Sequence, residues 1–472
     1  MNGIGVFMVD TENCIVSSIR MAHNPADNIY TVISGAAMQL KSETQLELYD
    51  RVSVQGESAI FIGHEDQKSK KAYARMFDSL LKKADTISNS KNLGLKDEYS
   101  ATARKMLPSL VDSAKTFLKA FLSSAPIVVR FHNDGDGSAG AIALHRAVSA
   151  LEEKGLCMNE RSISWQMNKG IAYTMESFYT DRMLFGLYKS AEKPLVLITD
   201  FGTSPESEEA IKLAEGVCDI IWLDHHIPYA AFPREKIRHY INVFDFGGDS
   251  NFTAGLETCI FAELLSGIDA KVLKGASLIS DYSAYADFKD KEALRVALIL
   301  DFLTSTGDSN YSKPKQMDLI LNDREKSEST FRQASNSLDE AINAGIRNIR
   351  RCKGSDGVNI CVLDFGHVAK LDLGYPLPGR YSSKLQNHLE TENNGNTITI
   401  VHYGNYISMR ISKDLSGSVN LLEIIERLKV ATNGELSGGG HQQAASIKTT
   451  SEHMNDTMRM LLVELGVKSQ AF

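Results

Sequence analysis

Between residues 125 and 310 short apolar runs alternate with helical stretches, and no other feature of the chain restricts its fold as much. The runs Ile127 to Phe131, Leu195 to Thr199, Ile220 to Leu223 and Tyr240 to Val243 are strand candidates. Strands that are apolar throughout and separated by helix-length segments are those of a parallel sheet covered on both faces, because a parallel connection requires a crossover. The expectation is an α/β fold in which a parallel-sheet catalytic domain carries a smaller α/β domain behind it. In an open parallel sheet ligands sit outside the carboxyl ends of the strands, so the residues that follow each run are where function is sought.

The rest of the chain supplies further units. At 472 residues and 43% hydrophobic content the chain is too long for one ordinary core. Residues 1–63 mix β-branched and aromatic runs with turn residues and read as a small β-rich or α+β domain. Residues 64–124 read as a helical segment, two helices joined near Asn89 to Gly94, packed on their neighbours as scaffold or forming a hairpin for self-association into a homo-oligomer. Residues 125–310 form the catalytic domain. Residues 311–354 are a connecting helix, polar from Asp323 to Asn348 and ending in basic Arg347, Arg350, Arg351 and Lys353; residues 355–472 are the second α/β domain. Fifty-one basic against 59 acidic residues leave a net charge of -8, which argues against a uniformly basic nucleic-acid binder and leaves room for a local basic groove. Six scattered cysteines without a CxxC pair indicate reduced thiols. Neither a signal peptide nor a membrane span is legible, so a cytoplasmic protein is expected.

Three of the candidate strands end in acids and imidazoles: Ile127 to Phe131 in His132-x-Asp134-x-Asp136-Gly137, Leu195 to Thr199 in Asp200, and Ile220 to Leu223 in Asp224-His225-His226. Asp281 follows an apolar helix that ends at Leu278-Ile279. Each piece has a plain structural alternative: DGDG as a turn, Asp200 as a cap of the helix after Ser204-Pro205. Adjacent imidazoles at a strand end are harder to assign to packing. Carboxylates gathered in one crevice repel, and a divalent cation relieves this. Oxygen donors mixed with imidazole, with no cysteine in the motifs, suit Mn²⁺ first and Mg²⁺ as a substitute. Two such ions about 3.5–4 Å apart clamp the attacking and leaving oxygens of a displacement at phosphorus, so phosphoester hydrolysis is the expected chemistry.

These residues resemble the DHH phosphoesterase family, named for the triplet that stands here as Asp224-His225-His226. Leu436-Ser437-Gly438-Gly439-Gly440-His441-Gln442-Gln443-Ala444-Ala445-Ser446 is similar to the GGGHxxAAG signature of the DHH-associated domain, with serine where the family has glycine. Ile407 to Ser412 resembles the strand that carries a substrate-binding arginine, here Arg410. The resemblance implies that His132 and Asp134 hold one metal, that Asp136, His225 and Asp281 hold the other, and that catalytic Asp200 bridges both. It further implies that His226 meets the scissile phosphate or assists the leaving group, that Asp224 orients the histidines, and that Gly438, Gly439, Gly440, His441 and Arg410 bind substrate phosphate. Asn242 and Thr253 occupy places similar to the family's Asn-Pro and Ser-Thr segments. The compact His-x-Asp-x-Asp spacing is similar to RecJ-like nucleases, and FHNDGDGSAGAIAL to the archaeal, Hef-associated type.

The function expected on this basis is a Mn²⁺-dependent exonuclease on single-stranded DNA or RNA, in the setting of DNA repair and with a helicase or repair partner, the strand threading between the two domains. Tyr282, Tyr285 and Phe288 are candidates for stacking on bases or for packing. The alternatives are a small-substrate phosphodiesterase or phosphatase, acting on oligoribonucleotides, cyclic dinucleotides or 3′-phosphoadenosine 5′-phosphate, and a non-catalytic nucleic-acid-binding subunit.

Overall fold

Six N-terminal strands, β1 (Ile4–Met8), β2 (Cys14–Ile19), β3 (Ile29–Ser34), β4 (Ala36–Lys41), β5 (Asp50–Gln55) and β6 (Ser58–His64), join in a sheet of order β1-β2-β5-β6-β4-β3. This is the β-rich start that the sequence suggested. The computed structural model describes residues 4–8, 14–19, 29–34, 36–41, 50–55, 58–64, 97–122, 125–153, 163–187, 193–306, 312–368, 375–393, 395–432, 434–440 and 442–467. The chain divides into two compact units, Met1–Leu300 with Ser309–Ile320 and Asp301–Asp308 with Leu321–Phe472.

Helix α1 (Asp97–Leu122) is the second of the two helices expected before the catalytic domain; the first, and the join near residues 89–94, lie outside the described residues. Its apolar positions Met106, Leu110, Phe117, Leu118 and Phe121 are fully buried. They recur at the three- and four-residue spacing of one helix face. Phe117 meets Phe261 edge-on at 5.8 Å, so this face is used in packing within the unit.

The centre of the first unit is a five-stranded, wholly parallel sheet of β7 (Ile127–His132), β8 (Ile163–Asn168), β9 (Leu195–Thr199), β10 (Asp219–Asp224) and β11 (His239–Asn242). Four of these are the runs picked out in the sequence. The fifth, β8, was not, because ISWQMN alternates polar with apolar residues and lies half-exposed at an edge of the sheet. Helices α2 (Gly135–Glu153), α3 (Met175–Leu187), α4 (Glu208–Ala214), α5 (Ala254–Ser266) and α6 (Lys271–Ser280) surround it, followed by α7 (Lys291–Ser305) and α8 (Pro314–Asn322). Val128, Val196, Ile198, Ile220 and Trp222 pack with Phe178 and Phe185 of α3 and Ile211 of α4 in one cluster. Successive strand residues point to opposite faces, and accordingly Thr199 turns the other way and meets Thr258 of α5, Oγ1 to Oγ1, at 2.6 Å. Gly140 lets α2 lie close on α5: a Cβ there would stand 2.9 Å from the Thr258 Cβ.

The strand order β11-β10-β9-β7-β8 places the functional crevice. From β7 the chain moves outward one way to β8, then returns and builds β9, β10 and β11 on the other side. The reversal lies between β7 and β9, and in open α/β sheets such a switch point opens a crevice at the strands' carboxyl ends. His132 ends β7, Asp134 and Asp136 follow it, and Asp200 follows β9.

The second unit holds helix α9 (Arg324–Ile346), capped by the Asp323 carboxylate on the backbone N–H groups of Glu325 and Lys326. Its mixed sheet runs β12-β13-β14-β15-β17-β16, with β12 (Arg350–Lys353), β13 (Asn359–Asp364), β14 (Thr397–Tyr403), β15 (Tyr406–Ile411), β16 (Ser437–Gly440) and β17 (Ala444–Lys448). Helices α10 (Pro378–Glu392), α11 (Leu421–Ala431) and α12 (Met454–Glu464) complete it. Ile360, Ile400, Ile407 and Met409 of the sheet pack with Leu421, Ile425 and Leu461 of α11 and α12. The architecture is thus α/β in both units, as the periodicity indicated.

Candidate metal centre

The turn from β7 into α2 is built around Asp134. Its Oδ1 accepts from the Gly137 backbone N–H at 2.9 Å, and its Oδ2 lies 2.6 Å from His132 Nδ1. Gly137 has no substitute, since a Cβ there would stand 2.7 Å from the His132 carbonyl oxygen and 2.9 Å from Asp200 Oδ2. Burial pushes the Asp134 carboxyl up, but the facing His132 imidazole and its hydrogen bond outweigh this and hold it below the usual carboxylate range. For His132 burial disfavours the cation, and Asp134 outweighs it to raise the imidazole.

Asp200 lies directly beyond β9 in left-handed backbone, with φ of 69°. That conformation is uncommon outside glycine and costs free energy at a site that holds it. The side chain is buried; Oδ1 stands 3.4 Å from His225 Nε2 and Oδ2 stands 3.8 Å from His132 Nδ1. Among the described residues Oδ2 has no hydrogen-bond donor. Burial first, and then the charges of Asp134 and Asp136, raise the Asp200 carboxyl well above its ordinary range.

Asp224, at the end of β10, is fully buried and organises the two histidines after it. Its Oδ1 accepts from the backbone N–H groups of His225 at 2.8 Å and His226 at 3.2 Å, and from His226 Nδ1 at 2.8 Å. Burial raises this carboxyl, yet His226 and His225 outweigh burial and lower it. His226 is thereby held with Nδ1 on Asp224 and its ring half-exposed, while His225 Nδ1 lies 2.9 Å from the Ser250 carbonyl oxygen and 3.7 Å from Asp281 Oδ2. Asn242 donates to the His226 carbonyl oxygen at 2.9 Å, and Thr253 caps α5 and touches Ser277.

Two groups therefore offer ligand atoms that all lie within 4.8 Å of one another: His132, Asp134 and Asp200, and Asp200, His225 and His226. Asp200 belongs to both. Asp136 is placed differently, with Oδ2 accepting from Gly255 N at 3.1 Å and Oδ1 from the Ser277 hydroxyl. Burial and the charges of Asp281 and Asp134, opposed by His225, push its carboxyl up to about 6. Asp281 reaches the centre through His225. Two carboxylates and three imidazoles in these groups, with Asp136 and Asp281 beside them and an orphaned buried oxygen on the shared acid, fit a divalent oxygen-and-nitrogen-ligated cation.

Several contributors carried no signal in the sequence. Gly255, whose Cβ would stand 2.3 Å from the Asp136 carbonyl oxygen, brings α5 against the start of α2. Ser277 and Ser250 are visible only once helices and loops have packed. Glu257 on α5 is buried with both carboxylate oxygens lacking a hydrogen-bond partner among the described residues, and burial, then Asp224, raises it well above the usual range.

In the second unit Arg410 on β15 donates Nε–H to Ser383 Oγ at 2.9 Å and a terminal N–H to the Met409 carbonyl oxygen at 2.9 Å. Gly438, Gly439 and Gly440 form β16 opposite Ile447, Ser446 and Ala445. Ser446 occupies ordinary strand backbone there, so nothing in the strand calls for the glycine of the resembled signature. His441 lies outside the described residues.

No protein-family model matches the chain. It is 23% identical over 509 aligned residues to an uncharacterized protein of Methanocaldococcus jannaschii, covering 91% of this chain and 65% of the relative's length. The DHH domain of a member of the s1p family of ribosomal proteins superposes with a TM-score of 0.68 at 20% identity, covering 85% of this chain and 99% of that one. Thermus thermophilus RecJ, solved with Mn²⁺, aligns at a TM-score of 0.48 and 14% identity over 76% of this chain and 54% of that one. The chain thus shares its fold with that DHH domain.

Proposed function

We propose that this chain is a metal-dependent phosphoesterase of the RecJ-like branch that hydrolyses phosphodiester bonds from an end of single-stranded DNA or RNA. The observation that carries the reading is Asp200, one buried carboxylate common to two ligand groups, with an oxygen that no described residue satisfies. The compact His132-x-Asp134-x-Asp136 spacing supports the nuclease branch.

His132, Asp134, Asp200, His225, Asp136 and Asp281 are the residues that would hold the cations, with His226 within ligand range of Asp200 and His225. Mn²⁺ or Mg²⁺ held there would supply Lewis-acid charge to the phosphoryl oxygens and to the attacking water. The chain's own part is positional. Asp224 accepts from His226 Nδ1, which leaves His226 Nε2 on the open side of the ring, and in the imidazolium form this Nε2–H is placed to hand its proton to a leaving oxygen. In the second unit the Arg410 guanidinium and the Gly438–Gly440 backbone supply donors suited to phosphate.

The deciding experiment follows end-labelled single-stranded DNA and RNA of several lengths, beside a dinucleotide and a cyclic dinucleotide, with Mn²⁺ or Mg²⁺. A length-dependent ladder that Asp200→Ala and His225→Ala abolish supports the nuclease. Cleavage confined to the dinucleotides would establish the small-substrate alternative, and polynucleotide binding without cleavage would establish the non-catalytic one.

A further inference from the structure

Of the three aromatic side chains that follow Asp281, the fold treats one differently from the other two. Tyr285 is half-buried and packs inward, its ring 5.3 Å from Tyr99, which in turn meets Phe252 edge-on at 6.0 Å. Tyr282 and Phe288 pair with each other, ring centroids 5.8 Å apart and planes inclined by 40°. Phe288 is 46% exposed.

An exposed phenylalanine by itself needs no explanation. This one is held beside the acidic crevice by a constrained loop. Tyr282 directly follows Asp281, whose carboxylate stands 3.7 Å from His225 Nδ1. Its φ of 52° is left-handed, which is unusual for an aromatic residue and persists only where the surroundings impose it. Those surroundings are visible: Ser283 Oγ donates to the Asn251 carbonyl oxygen at 2.6 Å, Ala284 N–H to Asn251 Oδ1 at 2.7 Å, and Tyr285 N–H to Ser283 Oγ at 3.0 Å. The loop is tied at its centre, Tyr285 anchors it inward, and Phe288, paired with the partly buried Tyr282, keeps much of its ring exposed.

We infer that Tyr282 and Phe288 form a stacking platform for the nucleobase of the nucleotide whose phosphate is engaged at the metal centre. The inference rests on the phosphoesterase reading and deepens it: the substrate carries a base, and the base is part of what is recognised. An aromatic pair whose first member directly follows Asp281 suits a nucleotide, in which base and phosphate are separated by one sugar. Every base has a π-face, so such a platform favours nucleotides without reading sequence.

The test compares wild type, Phe288→Ala and Phe288→Trp on a short single-stranded DNA ending either in an ordinary nucleotide or in an abasic sugar. A second readout, taken in EDTA, follows the fluorescence of a terminal 2-aminopurine, which stacking quenches. Wild type is expected to prefer the base-bearing end by roughly tenfold in kcat/KM. Phe288→Ala should bring that ratio close to one and remove the quenching, and Phe288→Trp should restore both. An unchanged ratio and unchanged quenching in Phe288→Ala overturn the platform while leaving the hydrolase standing. If wild type hydrolyses neither these DNAs nor the matching RNA and dinucleotide, the phosphoesterase reading fails and the platform with it.

Discussion

Asp200 Oδ1 faces His225 and its Oδ2 faces His132, in backbone that an aspartate adopts only at a cost. Without a cation, one more negative charge among Asp134 and Asp136 is unfavourable, so Asp200→Asn should stabilise the metal-free protein, by about 1–3 kcal/mol. The same change should lower metal-dependent hydrolysis more than a hundredfold; chemical denaturation in EDTA and initial rates in Mn²⁺ check the two halves. Gly137→Ala tests the turn. Its Cβ would press on the His132 carbonyl oxygen and Asp200 Oδ2, and overpacking of this kind costs about 1–3 kcal/mol. The variant should also lose the thermal shift that Mn²⁺ produces, whereas Gly186→Ala, at a helical glycine of ordinary backbone whose Cβ would meet nothing within 4 Å, should keep it. At this scale the site was partly legible. Acids and imidazoles at strand ends announce themselves by type and position. Gly255, Ser277 and Ser250 do not, because they act through contacts that exist only after α5 and α6 have packed.

Among the elements, β7 is tied to α3 by a buried ion pair. Arg130 Nε–H donates to Asp181 at 2.9 Å and a terminal N–H to the same carboxylate at 2.7 Å, and Tyr173 donates to Asp181 Oδ2 at 2.9 Å. Removing one partner of such a pair leaves an uncompensated buried charge, so Asp181→Ala should cost about 3–5 kcal/mol in a denaturation curve. Arg130→Met together with Asp181→Leu should recover much of that loss. The sequence shows Arg130 as an odd cation within an apolar run, and its partner on a helix beyond β8 could not be named from spacing. The same limit explains β8: an edge strand half-open to solvent lacks the unbroken apolar pattern by which β7, β9 and β10 were read.

For the whole first unit, folding and cation binding are linked. The Asp136 carboxyl is raised to about 6, so between the pKa of the unfolded chain and that value the folded, metal-free protein binds more protons than the unfolded one. Its contribution to stability is full below about pH 4 and is lost as pH rises through 6. A cation competes with those protons. Mn²⁺ should therefore raise the melting temperature strongly at pH 7.5 and little at pH 5, with a stabilisation on the order of 2.7 kcal/mol at a hundredfold excess over Kd. Melting scans with Mn²⁺ and with EDTA at the two pH values check this, and equal shifts at both would count against the carboxylate-rich site.

The apolar runs determined an α/β chain with a parallel sheet, since strands buried on both faces need crossover helices to cover them, and the acids after those runs marked the sheet's carboxyl end. Which strands are neighbours was decided only in three dimensions. The order β11-β10-β9-β7-β8 sets the reversal between β7 and β9, and so places His132 and Asp134 across from Asp200, with the histidines after β10 alongside. Sequence periodicity records which face of an element is buried. It holds no record of which element covers that face, and the shared role of Asp200 depends on that pairing.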